Sequence, residues 1–238
     1  MRKGSKLYEG KAKVLYETDS ENLLIQHFKD DVTAFDGVKH EVLKGKGTIN
    51  CAITSKIFKF LEENGIKTHF VERIAPNEIV VRKCEIIPVE VVVRNIAAGS
   101  FSKRYGIPEG EKLKEPIVEY FYKSDELHDP MVCKEHAVFF GWASGDEIDF
   151  MSETAKRVNA LLSEFFKNIS IMLVDFKLEF GRHKGEILLA DEITPDSCRL
   201  WDITTGEKLD KDRFRRDLGN VIESYKEIYR RIEDRYGE

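Results

Sequence analysis

Three charged side chains alternate with three apolar ones in the segment DFKLEF: Asp175, Lys177 and Glu179 stand between Phe176, Leu178 and Phe180. Period-two alternation is the pattern of a strand with one face on the core. Two carboxylates and an ammonium on the other face can bring a divalent cation and a phosphate together, because Mg2+ takes a few carboxylates plus waters and substrate phosphates. The next apolar segment, EILLADEI, carries Asp191. A hairpin of 171–180 with 186–191 around Arg182–Lys184 would set residue 175 near 191 and 179 near 187. Asp175, Lys177, Glu179 and Asp191 would then share a face with Ile187 and Leu189. On that face aliphatics could sandwich a base, lysine could meet phosphate and carboxylates could hold magnesium. A solvated, salt-bridged hairpin is the alternative.

Other clusters are of the same chemical kind. In EGKAK, Gly10 permits close backbone approach, and Lys11 and Lys13 point one way from an extended strand, which suits a polyphosphate; a wet lysine turn is the plainer reading. Arg94 ends the apolar run VEVVVR, where a charge needs a partner, and small residues follow into a short helix carrying Ser100. The pair suggests a phosphomonoester socket, or else an internal ion pair of Arg94 with an acid such as Glu90. Just past Asp191, Asp196, Ser197 and Arg199 share a turn-rich segment pinned by Pro195, placed to bring polar groups to a substrate. KSDELHDPM adds Lys123, which follows the apparent strand VEYFY, and Asp129, which stands before a proline and so is a natural turn initiator. KGKGTIN is not a P-loop: His40 stands where the first glycine belongs and Gly47 where Ser or Thr belongs, so it reads as a loop before a helix. The G-x-S-x-G, H-E-x-x-H and G-x-G-x-x-G patterns are absent from the sequence.

The elements that must position these groups follow from periodicity. KLYEGKAKVLYET and NLLIQHF read as strands, and INCAITSKIFKFLEENG as a helix with Ile49, Ile53, Ile57, Phe60 and Leu61 on its apolar face and Gly65 as its stop. Strand character returns in THFVERI, EIVVRKCEII and VEVVVRN. AAGSFSKRYG predicts a short helix, and the stretch from there to about 145 reads as looser, with Pro108, Pro116 and Pro130. EIDFMSETAKRVNALLSEFFKNI is a helix with Met151, Ala155, Val158, Leu162 and Phe165 in one stripe, and a last helix is expected over 211–236. This order predicts an α+β fold with a strand-rich lobe, 1–83, and a larger lobe, 84–238.

The bulk properties bound the function. The 238 residues carry 38 basic and 43 acidic side chains, a net charge of -5, which disfavours nonspecific nucleic-acid binding. Cys51, Cys84, Cys133 and Cys198 are dispersed, without metal spacing, as suits reduced cysteines in a cytoplasmic protein. MRKGSKLYEGKAK has no apolar h-region, and no apolar run approaches the ~20 residues of a spanning helix, so neither a secretory signal nor a membrane partner is expected.

LYEGKAKVLY, IPVEVVVRNIAAGS, SKRYG, HDPMV, VDFKLEFG and DEITPDSCRLWD, in this order, resemble the blocks of the SAICAR synthetase (phosphoribosylaminoimidazole-succinocarboxamide synthase) family over about 7–220. The resemblance implies a kinase-like, ATP-grasp-related α+β architecture with an antiparallel sheet in each lobe and nucleotide in the cleft. It implies a homodimeric ATP-dependent ligase of purine biosynthesis, with Mg2+ and the small molecules ATP, L-aspartate and 5-amino-1-(5-phosphoribosyl)imidazole-4-carboxylate (CAIR). An acyl phosphate on the CAIR carboxylate would be attacked by the aspartate amine, giving SAICAR, ADP and phosphate. Carried onto this sequence, Lys11, Lys13 and Lys123 would hold ATP, and Glu179 and Asp191 the metal, with Lys177 beside them. Arg94, Ser100, Arg199, Asp36 and Asp196 would bind CAIR. Lys177, Asp175 and Asp129 would be catalytic, Asp175 as acceptor of the amine proton. A small-molecule kinase or a non-catalytic nucleotide sensor would use the same charges.

Overall fold

The computed structural model describes residues 2–35 and 37–237. In the first part of the chain, β1 (Lys3–Glu9), β2 (Lys13–Thr18) and β3 (Leu23–Phe28) form a meander, followed by a two-stranded ribbon of β4 (Asp31–Ala34) and β5 (Lys39–Val42). After α1 (Lys46–Glu63), β6 (Phe70–Ala75) and β7 (Glu78–Arg82) complete a five-stranded antiparallel sheet in the order β1-β2-β3-β7-β6. Ile49, Ile53, Ile57 and Leu61 bury the inner face of α1. The helix starts inside KGKGTIN because the Asp30 carboxylate accepts the backbone N–H groups of Gly45 and Gly47 at 3.0 and 2.9 Å. Gly47 is required there, since a Cβ would lie 2.4 Å from the Phe28 carbonyl oxygen.

The rest of the chain builds a larger sheet. Its elements are β8 (Glu85–Ile86), β9 (Val89–Ile96), α2 (Gly99–Tyr105), β10 (Lys112–Tyr122), β11 (Met131–Val132), α3 (Lys134–Phe139) and α4 (Gly145–Lys167). Then come β12 (Ile171–His183), β13 (Glu186–Ala190), β14 (Cys198–Asp202), α5 (Asp212–Arg215) and α6 (Val221–Tyr236). The strand order is β11-β10-β9-β12-β13, with β14 and β8 also paired to β12, all antiparallel. β12 is the spine: β9 and β8 line one edge, β14 and β13 the other. The stripe Met151, Ala155, Val158, Leu162 and Phe165 of α4 is buried with Val91, Val93, Phe176 and Leu178 in one core. Ser144 and Glu147 cap α4 reciprocally, and Glu147 also clamps Arg182 of β12 through two contacts of 2.5 and 2.9 Å. The α+β class and its antiparallel sheets are those expected from the sequence.

Register decides which side chains face away from that core. The observed hairpin pairs Glu179 with Ala190 and Phe180 with Leu189, overturning the expected approach of 175 to 191 and of 179 to 187. The turn is two residues, Lys184 and Gly185, both with positive φ, so Arg182 and His183 belong to the strand. The change of parity sends Ile187 and Leu189 to the face shared with Phe180, away from Glu179. Asp191 leaves the ladder with φ 67° and rejoins the charged side by bending rather than pairing. Three further departures are local. β10 contains the strand expected at VEYFY and extends it back to Lys112, absorbing Pro116 at an irregularity between Lys112 and Ile117. CRLWD is a strand rather than part of a loop. The final helix breaks between α5 and α6, where Asp217, Gly219 and Asn220 take positive φ.

Candidate active site

Direct cross-strand partners share a face of a sheet. Asp175 lies opposite both Arg94 and Arg199, Lys177 opposite Val92, and Phe121 opposite Glu90. The face turned away from α4 therefore carries Glu90 and Arg94 on β9, Glu119 on β10, Asp175, Lys177 and Glu179 on β12 and Arg199 on β14. A cleft of about 770 Å³ opens over one end of this face, roofed by the first sheet. Lys11, Lys13, Lys123, Asp129, Lys177, Glu179, Asp191 and Asp196 all line it, together with the apolar Leu15, Leu24, Val81 and Ile86. The aliphatic walls thus come mainly from the first sheet, not from Ile187 and Leu189.

The cleft charges are arranged around Glu179, which is 4% exposed. Lys123 donates to one of its oxygens at 2.5 Å and Lys177 to the other at 2.9 Å; Lys177 also donates to Glu90 at 2.8 Å. Burial would push the Glu179 carboxyl up, and the ammonium groups of Lys177, Lys123 and Lys13 outweigh it, holding the group well below the ordinary carboxylate range. For Lys177 burial acts downward, and Glu179 and Glu90 raise it above the usual lysine value. Lys13 pairs with Asp191, and Lys11 with Asp125 at 2.7 Å. Asp129 has φ 46° and accepts the Ser124 N–H at 2.9 Å, so it caps its own turn while lining the cleft.

Arg94, Ser100, Asp175 and Arg199 form a second group beyond the cleft lining. Asp175 is two residues from Lys177, roughly 7 Å along the strand. It is 3% exposed and accepts Arg94 Nη1 at 2.7 Å and Arg199 Nη1 at 2.8 and 3.1 Å. Arg94 also donates to Glu119 at 2.9 Å, and Arg199 to Asp212 at 3.0 Å. Arg94 is paired internally, though with Glu119 and Asp175 instead of Glu90, whose partner is Lys177. Gly99, which precedes Ser100 in the chain, lets the Arg199 guanidinium pass close to the start of α2: its φ is +54°, and a Cβ would sit 2.4 Å from Arg199 Nη2. Asp36 lies outside the described residues.

Several residues that build the site escaped the sequence reading. His69 donates Nε2–H to the Asp191 carbonyl at 3.2 Å, and burial pushes its pKa down to about 3, so it stays neutral while fixing the bend at Asp191. Lys46, 1% exposed, donates to Asp196 at 2.6 Å, joined there by Asn50 at 2.8 Å and the Tyr225 hydroxyl at 2.7 Å. Glu119, Asp212 and Lys211 complete the charge pattern. Lys46 and Asn50 lie in KGKGTIN, which reads only as a loop before a helix, and the others belong to no local motif that could have found them.

The donor chemistry fits Mg2+. Two carboxylates on the wall of a roomy polar cleft are what Mg2+ uses when phosphates and waters supply its other ligands, whereas a metal held by protein alone needs more. Among the described residues no group of three or more metal-ligating side chains forms such a cage. Among the described residues the cleft shows no activated thiol or serine hydroxyl. Burial pushes the lining thiol of Cys84 up to about 11, keeping it protonated near neutrality, and the Ser197 hydroxyl is engaged by the backbone of its own turn. The arrangement neutralises and positions anions.

Comparison with known proteins agrees with this chemistry. The family model described as SAICAR synthetase matches residues 6–232. A phosphoribosylaminoimidazole-succinocarboxamide synthase from Magnetococcus marinus is 56% identical over 235 residues, 98% of this chain and 97% of the relative. The crystal structure of the corresponding synthase from Ehrlichia chaffeensis matches with TM-score 0.94 and 48% identity, covering 96% of this chain and 98% of that one. A SAICAR synthetase solved in complex with ADP matches with TM-score 0.93 and 53% identity over 97% of each chain.

Proposed function

We infer the division of labour in the cleft from one premise: the chain belongs to the SAICAR synthetase family and catalyses the ATP-dependent joining of L-aspartate to the carboxylate of CAIR. The observation that carries the assignment of roles is the continuous charged face of the larger sheet. It offers two anion-binding groups side by side and, among the described residues, no activated thiol or serine hydroxyl.

Lys11, Lys13, Lys123 and Lys177 receive the triphosphate, exchanging their carboxylate partners for phosphate oxygens, with the base between Leu15, Leu24, Val81 and Ile86. The structure of a related SAICAR synthetase with ADP supports a nucleotide in this fold. Glu179 and Asp191 would hold Mg2+, which when bound supplies neutralisation of the β- and γ-phosphates. Arg94, Ser100 and Arg199 take the ribonucleotide phosphate, with Asp196 and Asp36 at the substrate end. CAIR anchored there points its carboxylate along β12 toward Lys177, at the junction of the two groups. A carboxylate oxygen attacks the γ-phosphorus and ADP leaves; the aspartate amine then attacks the acyl carbon and phosphate leaves. Lys177 stabilises the charge in both steps, which are governed by positioning and electrostatics. Asp175, expected as the proton acceptor, already serves two guanidiniums, and we assign it to positioning them. We assign the amine proton to Asp129, a carboxylate on the cleft wall.

We take 1–83 as the lobe covering the nucleotide and 84–238 as the lobe carrying the metal and ribonucleotide groups. A cytoplasmic location is supported by four free cysteines, and a homodimer by the exposed apolar patch Val138, Phe139 and Phe140. Among the described residues no helix is long and apolar enough to cross a membrane. The test follows products from CAIR and MgATP with and without L-aspartate. Equal amounts of ADP, phosphate and SAICAR are expected only with aspartate. A stable phosphorylated product formed without it identifies a kinase instead, and binding without turnover a sensor.

A further inference from the structure

Lys211 differs from the other cations of the cleft wall. Lys11 pairs with Asp125, Lys13 with Asp191, Lys123 and Lys177 with Glu179, and Arg82 lies 3.7 Å from Glu62. Among the described residues no carboxylate forms an ion pair with Lys211, although it lines the same cleft as Asp196 and Ser197. Its backbone is fixed at the start of α5 by an N–H bond to the Pro195 carbonyl at 3.0 Å. Asp196, the nearby acid, already accepts three hydrogen bonds: Oδ2 from Lys46 and Asn50, and Oδ1 from Tyr225. Burial pushes the Lys211 ammonium below the ordinary lysine value; the attraction of Asp196 and, more weakly, Glu192 opposes this, and the repulsion of Arg215 and Lys46 adds to it. A partly buried cation in that position costs free energy that an anion entering from the cleft relieves.

We propose that Lys211 binds a carboxylate of the second substrate, L-aspartate, in the end of the cleft bounded by Asp196 and Ser197. The inference rests on the ligase reading above and proceeds by assigning the anions. The triphosphate faces Lys11, Lys13, Lys123 and Lys177. The ribonucleotide phosphate faces Arg94 and Arg199, and the CAIR carboxylate must meet the γ-phosphate beside Lys177. The carboxylates of aspartate are the remaining anions; of the described lining cations left unassigned, Arg82 lies 3.7 Å from Glu62 and Lys211 has no ion-pair partner. Because Lys211 shares the cleft with Glu179 and Asp191, an amino acid held by its carboxylate there presents its amine toward the activated carbon.

The test is steady-state kinetics of Lys211→Met and Lys211→Arg, with each substrate varied in turn, beside thermal melting. Losing one charge-assisted contact raises KM for L-aspartate about 10- to 100-fold in Lys211→Met, leaves KM for CAIR and ATP unchanged, and is largely rescued in Lys211→Arg. The methionine variant removes an unpaired charge and keeps the stem, so its Tm stays level or rises. An unchanged KM for aspartate, or a rise confined to CAIR or ATP, overturns the proposal. So does a lowered Tm with all three constants shifted, which marks a structural lysine. If the wild-type enzyme forms no SAICAR from CAIR, ATP and aspartate, the ligase reading itself has failed, a result seen before any variant is made.

Discussion

Replacing Asp175 with asparagine keeps the side chain's shape and removes one charge from between two guanidiniums. The wild-type carboxylate accepts Arg94 at 2.7 Å and Arg199 at 2.8 and 3.1 Å. An amide has one acceptor oxygen, so it satisfies one guanidinium and turns N–H groups toward the other. Each arginine keeps its second carboxylate, Glu119 or Asp212, so neither is set free. The net loss is about one charge-assisted hydrogen bond, ~1.5–3 kcal/mol. If that loss falls on the geometry that receives the CAIR phosphate, KM for CAIR rises roughly 10- to 100-fold, since 1.4 kcal/mol is a factor of ten. KM for ATP should hold, because the lysines around Glu179 are untouched. The same loss lowers Tm by about 3–12 °C for a chain of this size. Initial rates with CAIR varied at saturating ATP and aspartate give the split between kcat and KM. A collapse of kcat by about a thousandfold or more with KM for CAIR unchanged would make Asp175 the proton acceptor and refute its assignment as a positioning residue.

Glu179→Gln should lower kcat on the order of 100-fold or more at limiting Mg2+ while the protein stays folded; titration of activity with Mg2+ checks this, and unchanged activity at low metal excludes Glu179 as a ligand. Gly99→Ala places a Cβ 2.4 Å from Arg199 Nη2 on backbone with φ +54°. The left-handed conformation alone costs roughly 1–2 kcal/mol, and the displaced guanidinium raises KM for CAIR; melting and CAIR kinetics read the two effects, and an unchanged KM removes Arg199 from the phosphate site. Asp210 gives a pH signature: burial and the neighbouring Asp212 raise its pKa from 3.8 to about 7. A raised carboxylate favours folding when protonated, so its contribution is full below pH ~4 and lost as pH rises through ~7, on the order of 4 kcal/mol. His69, held neutral at about 3 from an ordinary 6.5, acts oppositely, its contribution lost as pH falls through about 3. Denaturant melts of wild type and Asp210→Asn across pH 4–7 isolate the Asp210 share as a difference in slope, and parallel profiles contradict it.

The charge alternation over 175–180 was legible because strand periodicity is local, and so was the need of Arg94 for a partner at the end of an apolar run. Register was not legible. GRHKG could turn in more than one place, and only the observed Lys184–Gly185 turn, with both residues at positive φ, selects the pairing that sends Ile187 and Leu189 to the core. CRLWD was hidden by the polar turn before it, so the placing of Arg199 opposite Asp175 could not be foreseen. Lys46 and Asp196 meet across 150 positions of sequence, and Lys123 and Glu179 across 56. Contacts of that kind belong to the fold, and no window of residues contains them. His69 and Lys211 are single polar residues without a spacing pattern, visible only once their surroundings exist.

The account depends on the γ-phosphoryl group passing to a carboxylate oxygen of CAIR in a cleft that supplies charge and placement. CAIR labelled with oxygen-18 in its carboxylate, turned over with unlabelled ATP, water and L-aspartate, tests this by mass spectrometry of the released phosphate. An acyl phosphate predicts one labelled oxygen in each phosphate and one retained in the new amide. Phosphate without label, the lost carboxylate oxygen appearing in water, would contradict the mechanism.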